Sequence, residues 1–491
     1  MVRSLADVTA TLPTPVPTLP DGFVAVVKQD CPTCELVVPA LEQIAAGAKL
    51  TVYVQDDPSF PASLNPIDDT KLEVSWHHEI ETVPTLLQVR GGKEVDRTVG
   101  WSREQWEAFT DVTALAPDLP QMRPGCGSLS VDPNLTDELT VRFTGSTLTS
   151  RRIELAAMED EMEAAFDRGW SDGLPVVPPT EARVLRMMEG TTRDGQDIVA
   201  TVPPDLNDVT VEQIAINAVM AGCKPEYLPV VLAAVEAACS DEFNIHGLLA
   251  TTYYSGPIIV VNGPIAARIG MNSKGNLLGQ GNRANSTIGR ALQLVVRNLG
   301  GGRPGGVDMS LIGAPSKMGM AFAEREEDSP FTPLAADFGI ESGEDAVVLF
   351  AGHGPSAVVD QISRTPESLV RTFAANLLAE AHPKLVIGMD AMLIVGPEHG
   401  RILREAGWDK ARLRAELAPL LTRNSDDLLR GVGGMEEGLP AAFAGVEVPK
   451  FREGGLQIVH GGGDAGLFSA ILGGWVGGAK GSDPVARRVT L

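Results

Sequence analysis

The stretch GFVAVVKQDCPTCELVVPALEQIA, residues 22–45, sets an apolar run directly before a pair of cysteines and a helical pattern directly after them. Its first part, GFVAVVK (22–28), is unbroken and rich in β-branched residues, which predicts a strand buried on both faces. From Cys31 onward the apolar positions Leu36, Val37, Leu41 and Ile44 recur at helical spacing. Two thiols therefore stand at the start of a helix, one turn apart. Beyond them, KLTVYVQ (49–55) predicts a second strand, TVPTLLQV (82–89) a third, and GGKEVDRTVG (91–100) a turn and a fourth. SREQWEAF (102–109) predicts a closing helix, since Ser102 stands at the N-cap with Gln105 three residues later.

This order, β-CxxC-α-β…Pro-β-β-α over residues 20–112, resembles the thioredoxin/glutaredoxin family, and Cys31-Pro32-Thr33-Cys34 and Val83-Pro84-Thr85 carry the resemblance. It implies a thioredoxin-like domain in which Cys31 is the attacking thiol, Cys34 the resolving thiol and Pro84 a cis-proline facing their disulfide. The only cofactor it implies is that redox-active disulfide. Elementary chemistry agrees, because the positive end of a helix and its unpaired N–H groups stabilise a thiolate. A thiol one turn further in is placed to attack a mixed disulfide. Two positions depart from the family: Asp30 replaces a Trp, and Ala25 replaces a buried Asp. The Pro/Thr-rich lead-in, residues 1–19, is expected to carry no β-α unit. A zinc half-site and a redox-inert fold are the alternatives; a single CxxC lacks the second ligand pair that zinc needs.

The chain has 491 residues and a formal net charge of −24. That balance argues against nucleic acid and anionic membrane as partners. No apolar run reaches the ~18 residues of a membrane span. Five cysteines in this length do not make a disulfide scaffold, and with no apolar leader at the N-terminus the expected address is a reducing cytoplasm. Residues 113–150, rich in Pro, Gly and Asp, read as a connector between the N-terminal module and a large domain at 151–491. Within the connector, RPGCGS (123–128) places Cys126 on a glycine-flanked turn near Arg123. A redox or nucleophilic thiol and an unremarkable exposed one are both open readings there.

The large domain alternates helices (151–170, 211–223 and 224–239) with apolar strands. GPIIVVNGPIAARIG (256–270) and DAMLIVGPEHGRILREAGW (390–408) share a strand, a Gly-Pro turn and a helix, with Arg-Ile at the same offset. Two related α/β halves, about 200–300 and 345–450, are expected, followed by a strand, glycine turn and helix at 455–472. Such alternation predicts a mainly parallel sheet with ligands at the carboxyl ends of its strands. His353, His399 and His460 fall near those ends, and His246 precedes one strand; His353 and His399 are candidate general bases, proton shuttles or metal ligands. No HExxH or paired CxxC points to a metal. The acid-rich segment FAEREEDSPFTP (322–333) reads as a solvated loop.

The Gly/Asn-rich loop at 272–287 leads into a helix with a clean apolar face. Its Asn282, Arg283, Asn285 and Ser286, with Arg290, suit an anionic group, while a structural glycine turn is the plainer reading. Cys223, beside Lys224 and ahead of a helix, reads as reactive or as buried; Cys239 reads as core. Together these point to a thiol-dependent oxidoreductase whose CxxC domain exchanges electrons with Cys126 or Cys223 and whose large domain acts on a small anionic substrate. A cellular thiol reductant would close the cycle. A non-redox lyase or hydrolase using the His/Arg groups, and a thiol–disulfide exchange protein binding protein clients, are the alternatives.

Overall fold

The computed structural model describes residues 14–156, 159–475 and 481–491. The chain divides into two compact units, Arg3–Thr149 and Ser150–Leu491, and both mix helices with sheets. Residues 1–13 of the expected lead-in lie outside the described residues.

In the first unit, β1 (Gly22–Val27) takes the middle of a five-stranded sheet. Val24 to Val27 are buried, as an apolar run with no polar face requires. There follow α1 (Pro32–Gly47), β2 (Leu50–Val54), β3 (Ile67–Asp68), α2 (Glu73–His77) and β4 (Thr82–Val83). Then come β5 (Thr85–Arg90), β6 (Lys93–Val99), β7 (Trp101–Ser102) and α3 (Arg103–Thr110). The strand order is β3-β2-β1-β5-β6. β1 runs parallel to β2 and antiparallel to β5, which is antiparallel to β6. α1 buries Val37, Ala40, Leu41 and Ile44. Ser102 accepts the Gln105 N–H at the start of α3, and Trp106 on that helix packs edge-on against Trp101 with ring centroids 5.0 Å apart.

The segment expected as a connector is instead part of this unit. Arg103 donates to the carbonyls of Leu115, Ala116, Pro117 and Leu119, so the Pro-rich backbone finds its partners here. β8 (Met122–Arg123) pairs with β7, and β9 (Cys126–Gly127) pairs with β4. α4 (Thr136–Thr144) then buries Leu139 and Phe143 against Leu72. A linker would leave these groups in water.

The second unit begins with α5 (Glu161–Asp167), capped by Asp160. It is all the helix described in the stretch expected at 151–170, of which residues 157–158 lie outside the described residues. α6 (Glu181–Met188), the hairpin β10 (Ile198–Val202) and β11 (Asn207–Thr210), α7 (Val211–Ala221), α8 (Leu228–Ala238) and α9 (Ile245–Ala250) follow. The main sheet then starts with β12 (Gly256–Asn262), α10 (Pro264–Arg268), α11 (Arg283–Asn298), β13 (Met320–Ala323) and β14 (Ala346–Val359). It continues through α12 (Pro366–Ala379), β15 (Ala391–Val395), α13 (Pro397–Glu405) and α14 (Lys410–Leu421). A small ladder of β16 (Thr422–Asn424) and β17 (Glu447–Pro449) precedes β18 (Leu456–His460), β19 (Phe468–Gly474) and β20 (Val485–Arg488).

The main sheet has the order β13-β12-β14-β19-β15-β18, with β20 also on β14. The expectation of a mainly parallel sheet is corrected here. Only β12–β13 and β15–β18 are parallel, and the other pairings are antiparallel. β14 runs antiparallel to β12 and β20, and the other two antiparallel pairings come from β19, whose residues were expected to be helical. FSAILGG is short and apolar, and hydrogen bonds to β14 on one side and β15 on the other decide its state.

A repeat emerges, with boundaries shifted from those expected. β12 lies between a parallel β13 and an antiparallel β14, and β15 lies between a parallel β18 and an antiparallel β19. β14 and β19 join the halves, which therefore span residues 256–359 and 391–474. Each first strand ends in Gly-Pro, with the proline at the first turn of a helix, where its missing N–H costs nothing. In both halves a side chain on that glycine would overlap a backbone carbonyl near the start of the third strand, Glu344 O or Phe468 O. The sheet curls until Arg325 N, just past β13, donates to His460 O at the end of β18, at 2.9 Å. Ile258, Phe322, Phe350, Met392, Ile394 and Val459 from both halves fill its core. Among the described residues no helix is long and apolar enough to cross a membrane.

Candidate functional site

Cys31 is the N-cap of α1, in extended conformation, with Pro32 at the first helical position. Its sulfur accepts the Cys34 N–H at 3.3 Å. Val83 O lies 3.6 Å from the same sulfur, and the Val83–Pro84 peptide bond is cis. The third neighbour is Cys126, with Sγ 2.9 Å from Cys31 Sγ. Hydrogen bonding from the Cys34 thiol, then from Cys126 and the backbone N–H groups of Cys34 and Thr33, pushes the Cys31 thiol down to about 5 against the opposing effect of burial. Burial, and its role as donor to Cys31, push Cys34 far up. The same two causes raise Cys126. Of the three sulfurs Cys31 is thus the one most inclined to ionise, with Cys34 and Cys126 placed beside it as donors.

Cys126 reaches this place through backbone pairing. β9 aligns Cys126 with Val83 and Gly127 with Thr82. Any side chain at Gly125 would overlap Thr82 Cγ2 and sit 2.8 Å from Val83 O, so glycine is what lets the strand approach. Thr33 Oγ1 donates to Pro124 O at 2.8 Å, tying this strap to α1. Beyond the cysteine, the buried Gln55 amide donates to Ser128 Oγ at 2.6 Å and accepts the Leu129 N–H at 3.0 Å. Ser130 Oγ donates to Ile80 O at 2.6 Å. Asp56 accepts the N–H groups of Gln29 and Asp30 at 2.7 and 2.8 Å, which fixes the turn into Cys31. The Asp30 residue is exposed and Ala25 is buried.

In the second unit Cys223 lies against the start of α11, beside Arg283 and Arg290, while the marked histidines sit in separate places. Cys223 is buried and burial pushes its thiol up to about 12, which overturns the reactive reading. It follows the left-handed C-cap Gly222 of α7, the electronegative end of a helix, and donates to Thr287 O at 3.5 Å. Cys239, half-buried, is likewise pushed up to about 12 by burial.

The anion loop is corrected as well. Arg290 makes a bidentate pair with Asp172 at 2.8 Å on both arms and also donates to Leu174 O and Pro175 O. Burial opposes ionisation of Asp172, but the hydrogen bonds and charge of Arg290 hold it below the usual carboxylate range. Arg283 donates to Gly222 O at 2.8 Å. Asn282 caps α11, and Asn285 exchanges hydrogen bonds with the backbone of Asn272. Ser286 is exposed on the first turn of α11. The loop does meet the strand-end glycine turn, with Gly462 N donating to Ser273 O at 3.0 Å; Arg290 is engaged with Asp172, while Arg283 is exposed and, among the described residues, gives only its Nε–H, to Gly222 O.

His399 is fully buried with both ring nitrogens engaged, by Ser469 Oγ at 2.8 Å and Asp360 O at 3.0 Å. That is a structural role, not an open strand end. His460 is also buried, with Nδ1 on Arg325 O at 2.9 Å and no hydrogen-bond partner for Nε2 among the described residues, and burial lowers its pKa. His246 is exposed on α9. His353 Nδ1 lies 2.9 Å from Gly354 O and its Nε2 lies 3.3 Å from Glu380 Oε1, beside Tyr253 and Tyr254. Both ring nitrogens thus have an oxygen nearby, and the imidazole and carboxylate are both buried. A side chain on Gly473 would overlap the His353 ring, and there the β19 glycines have their use.

Sequence reasoning missed Glu380, Asp172, Lys450 and Glu324. Glu324 lies in the acid-rich segment expected to be solvated, yet it is buried. Burial raises it to about 7 while Asn262 and Leu334 N donate to it. Its place directly behind the apolar strand β13 was the available signal. Lys450 is buried with its ammonium on Glu380 O and His382 O, and burial lowers it to about 8. Among the described residues no group of three or more His, Cys, Asp or Glu is placed to hold a metal. No family model matches the chain, and no curated protein matches it.

Proposed function

We propose that the N-terminal unit is thioredoxin-like and works as a thiol–disulfide oxidoreductase, in a reducing cytoplasm where a cellular thiol closes its cycle. The observation that carries this is the Cys31 sulfur, which accepts from Cys34 N–H and lies 2.9 Å from Cys126 Sγ. The strand order β2-β1-β5-β6, with the CxxC helix leaving the central strand, supports the fold part of the reading. In the reaction the Cys31 thiolate attacks one sulfur of a disulfide and expels the other as a thiolate. Cys34 then loses its proton and attacks Cys31 Sγ, releasing the second thiolate. Two electrons leave the CxxC pair, the Cys34 proton and the one Cys31 had already given to solvent go to the released thiolates, and Cys31–Cys34 is left as a disulfide. Cys126, not Cys223, is the exchange partner this reading selects, because its Sγ lies 2.9 Å from Cys31 Sγ and is partly open, while Cys223 is buried against Thr287 O. The Cys34→Ser variant tests it. A Cys31–Cys126 cross-linked peptide after mild oxidation supports it, and unmodified thiols throughout would sink it.

For the large unit a second reading rests on His353 and Glu380. A buried imidazole 3.3 Å from a buried carboxylate suits general acid–base catalysis on a small anionic substrate, by lyase or hydrolase chemistry independent of the thiols. Loss of turnover in Glu380→Gln, with the CxxC intact, would favour that reading for this unit.

A further inference from the structure

We infer that Cys126, rather than Cys31, is the sulfur at which this site meets small disulfides and thiols from outside, so that redox equivalents pass from Cys126 to Cys31 to Cys34. The inference rests on the proposed redox role of the CxxC pair and adds to it the route and the class of reactant.

Accessibility gives the first argument. Cys31 is 1% exposed and Cys34 is 0% exposed, while Cys126 is partly open to solvent. A buried sulfur cannot be attacked in line by a solvent-borne molecule, since the nucleophile, the central sulfur and the leaving sulfur need a clear axis. The cover over Cys31 is the strap itself, and the strap is held at both ends. Trp101 pairs with Arg123 on one side of it and Val83 with Cys126 on the other. Thr33 holds Pro124 between them, and the Gln55–Ser128 bond anchors the exit. Lifting the strap means breaking all of these. Exchange through Cys126 breaks none, because its sulfur is already 2.9 Å from Cys31.

The chemistry of leaving groups points the same way. In a Cys31–Cys126 disulfide, an outside thiolate that attacks Cys126 expels Cys31, whose anion the helix N-terminus stabilises. Attack on Cys31 would have to reach a buried sulfur and expel the poorer leaving group. Lower-pKa thiols leave faster, so the accessible path is also the faster one.

The steps balance. Cys126 passes its proton to the Cys31 thiolate 2.9 Å away and attacks an outside disulfide RS–SR, forming Cys126–S–S–R and releasing RS⁻, which takes that proton from Cys31. The Cys31 thiolate attacks Cys126 Sγ, forming Cys31–Cys126 and releasing the second RS⁻. Cys34 gives up its proton and attacks Cys31 Sγ, forming Cys31–Cys34 and returning Cys126 as a thiolate. One disulfide is reduced to two thiols, and two protein thiols become one disulfide. The reactant class is a low-molecular-weight disulfide in the forward sense and a low-molecular-weight thiol in the reverse.

The test mixes reduced full-length protein with oxidised glutathione, quenches at early times with acid, and maps adducts by peptide mass. The first adduct should be on Cys126, ahead of any Cys31–Cys34 disulfide. Cys126→Ser should slow formation of that disulfide by about tenfold or more, as loss of the attacking thiol demands. Cys31→Ser should still gain its adduct on Cys126, which guards against a Cys126 variant that only loosens the strap. A first adduct on Cys31, or wild-type oxidation rates in Cys126→Ser, overturns the route while leaving the redox reading standing. A Cys126 adduct that never passes to Cys31, with no Cys31–Cys34 disulfide formed by any oxidant, removes the redox reading and this inference together.

Discussion

The two units treat their marked residues in opposite ways. In the N-terminal unit, thiols 95 positions apart in the chain end 2.9 Å from each other. In the large unit, Cys223, Arg283, Arg290 and His399 are each absorbed into separate structural bonds. Cys31 and Cys223 make the contrast sharpest, since each precedes a helix in the sequence. Cys31 sits on the electropositive end of α1 and collects donors, so it is driven down to about 5. Cys223 sits just past the electronegative end of α7, where burial drives it up to about 12. A neighbouring Lys or Arg in the sequence says little about a thiol. Which end of which helix it faces says more.

The strongest way to break the comparison is to remove the resolving thiol. Cys34→Ser should abolish repeated turnover of small disulfides and leave Cys31 linked to Cys126, read as a cross-linked tryptic peptide. Persistent multiple turnover would return Cys31 to the inert class that Cys223 represents.

Next in size is the pair that replaced the expected anion site. Arg290→Ala leaves the largely buried Asp172 without its guanidinium and should cost about 3 kcal/mol, seen in urea unfolding. Unchanged stability together with lost affinity for a small carboxylate would restore the anion reading.

Gly125→Ala should cost less, about 1–3 kcal/mol, as crowding in a packed contact does. Displacing the strap also withdraws the Cys126 donor, so the Cys31 pKa should rise. An alkylation–pH profile identical to wild type would show that Cys126 contributes nothing to the thiolate.

The contrast also shows in the pH dependence of stability. A thiol with a folded pKa near 5 and an unfolded one near 8.5 adds stability that is complete above about pH 8.5 and lost as pH falls through about 5. Cys223 has the opposite sign: its contribution is complete below about pH 8.5 and is lost as pH rises toward about 12. Cys31→Ser should therefore flatten the acid side of the stability curve, and Cys223→Ala the alkaline side. Differential scanning calorimetry from pH 4 to 10 would resolve the two.

What could be read from the sequence followed from local physics. The apolar run at 22–27, the helix opened by Cys31 and the Gly-Pro turns after β12 and β15 each depend on neighbours within a few residues. Cys126 was visible as an unburied thiol on a turn, but its pairing with Val83 was not, because β9 is two residues long and has no periodicity to detect. β19 failed for a related reason: only its two flanking strands choose strand over helix. The partners of Arg290 and His353, Asp172 and Glu380, lie 118 and 27 residues away. Nothing in the spacing announces them.

The bond from Arg325 N to His460 O has a consequence for association between molecules. β13 and β18 are the outermost strands of the main sheet, where a foreign strand could add and begin a stack. At their carboxyl ends these two borders meet each other, the chain beyond one donating to the last residue of the other. The repeat thus guards its own margins: each half closes off part of the border that the other would expose, as barrel closure does for a complete ring of strands. A variant that opens this seam, such as Gly400→Val crowding the His460 ring, should aggregate at temperatures where each strand is still folded.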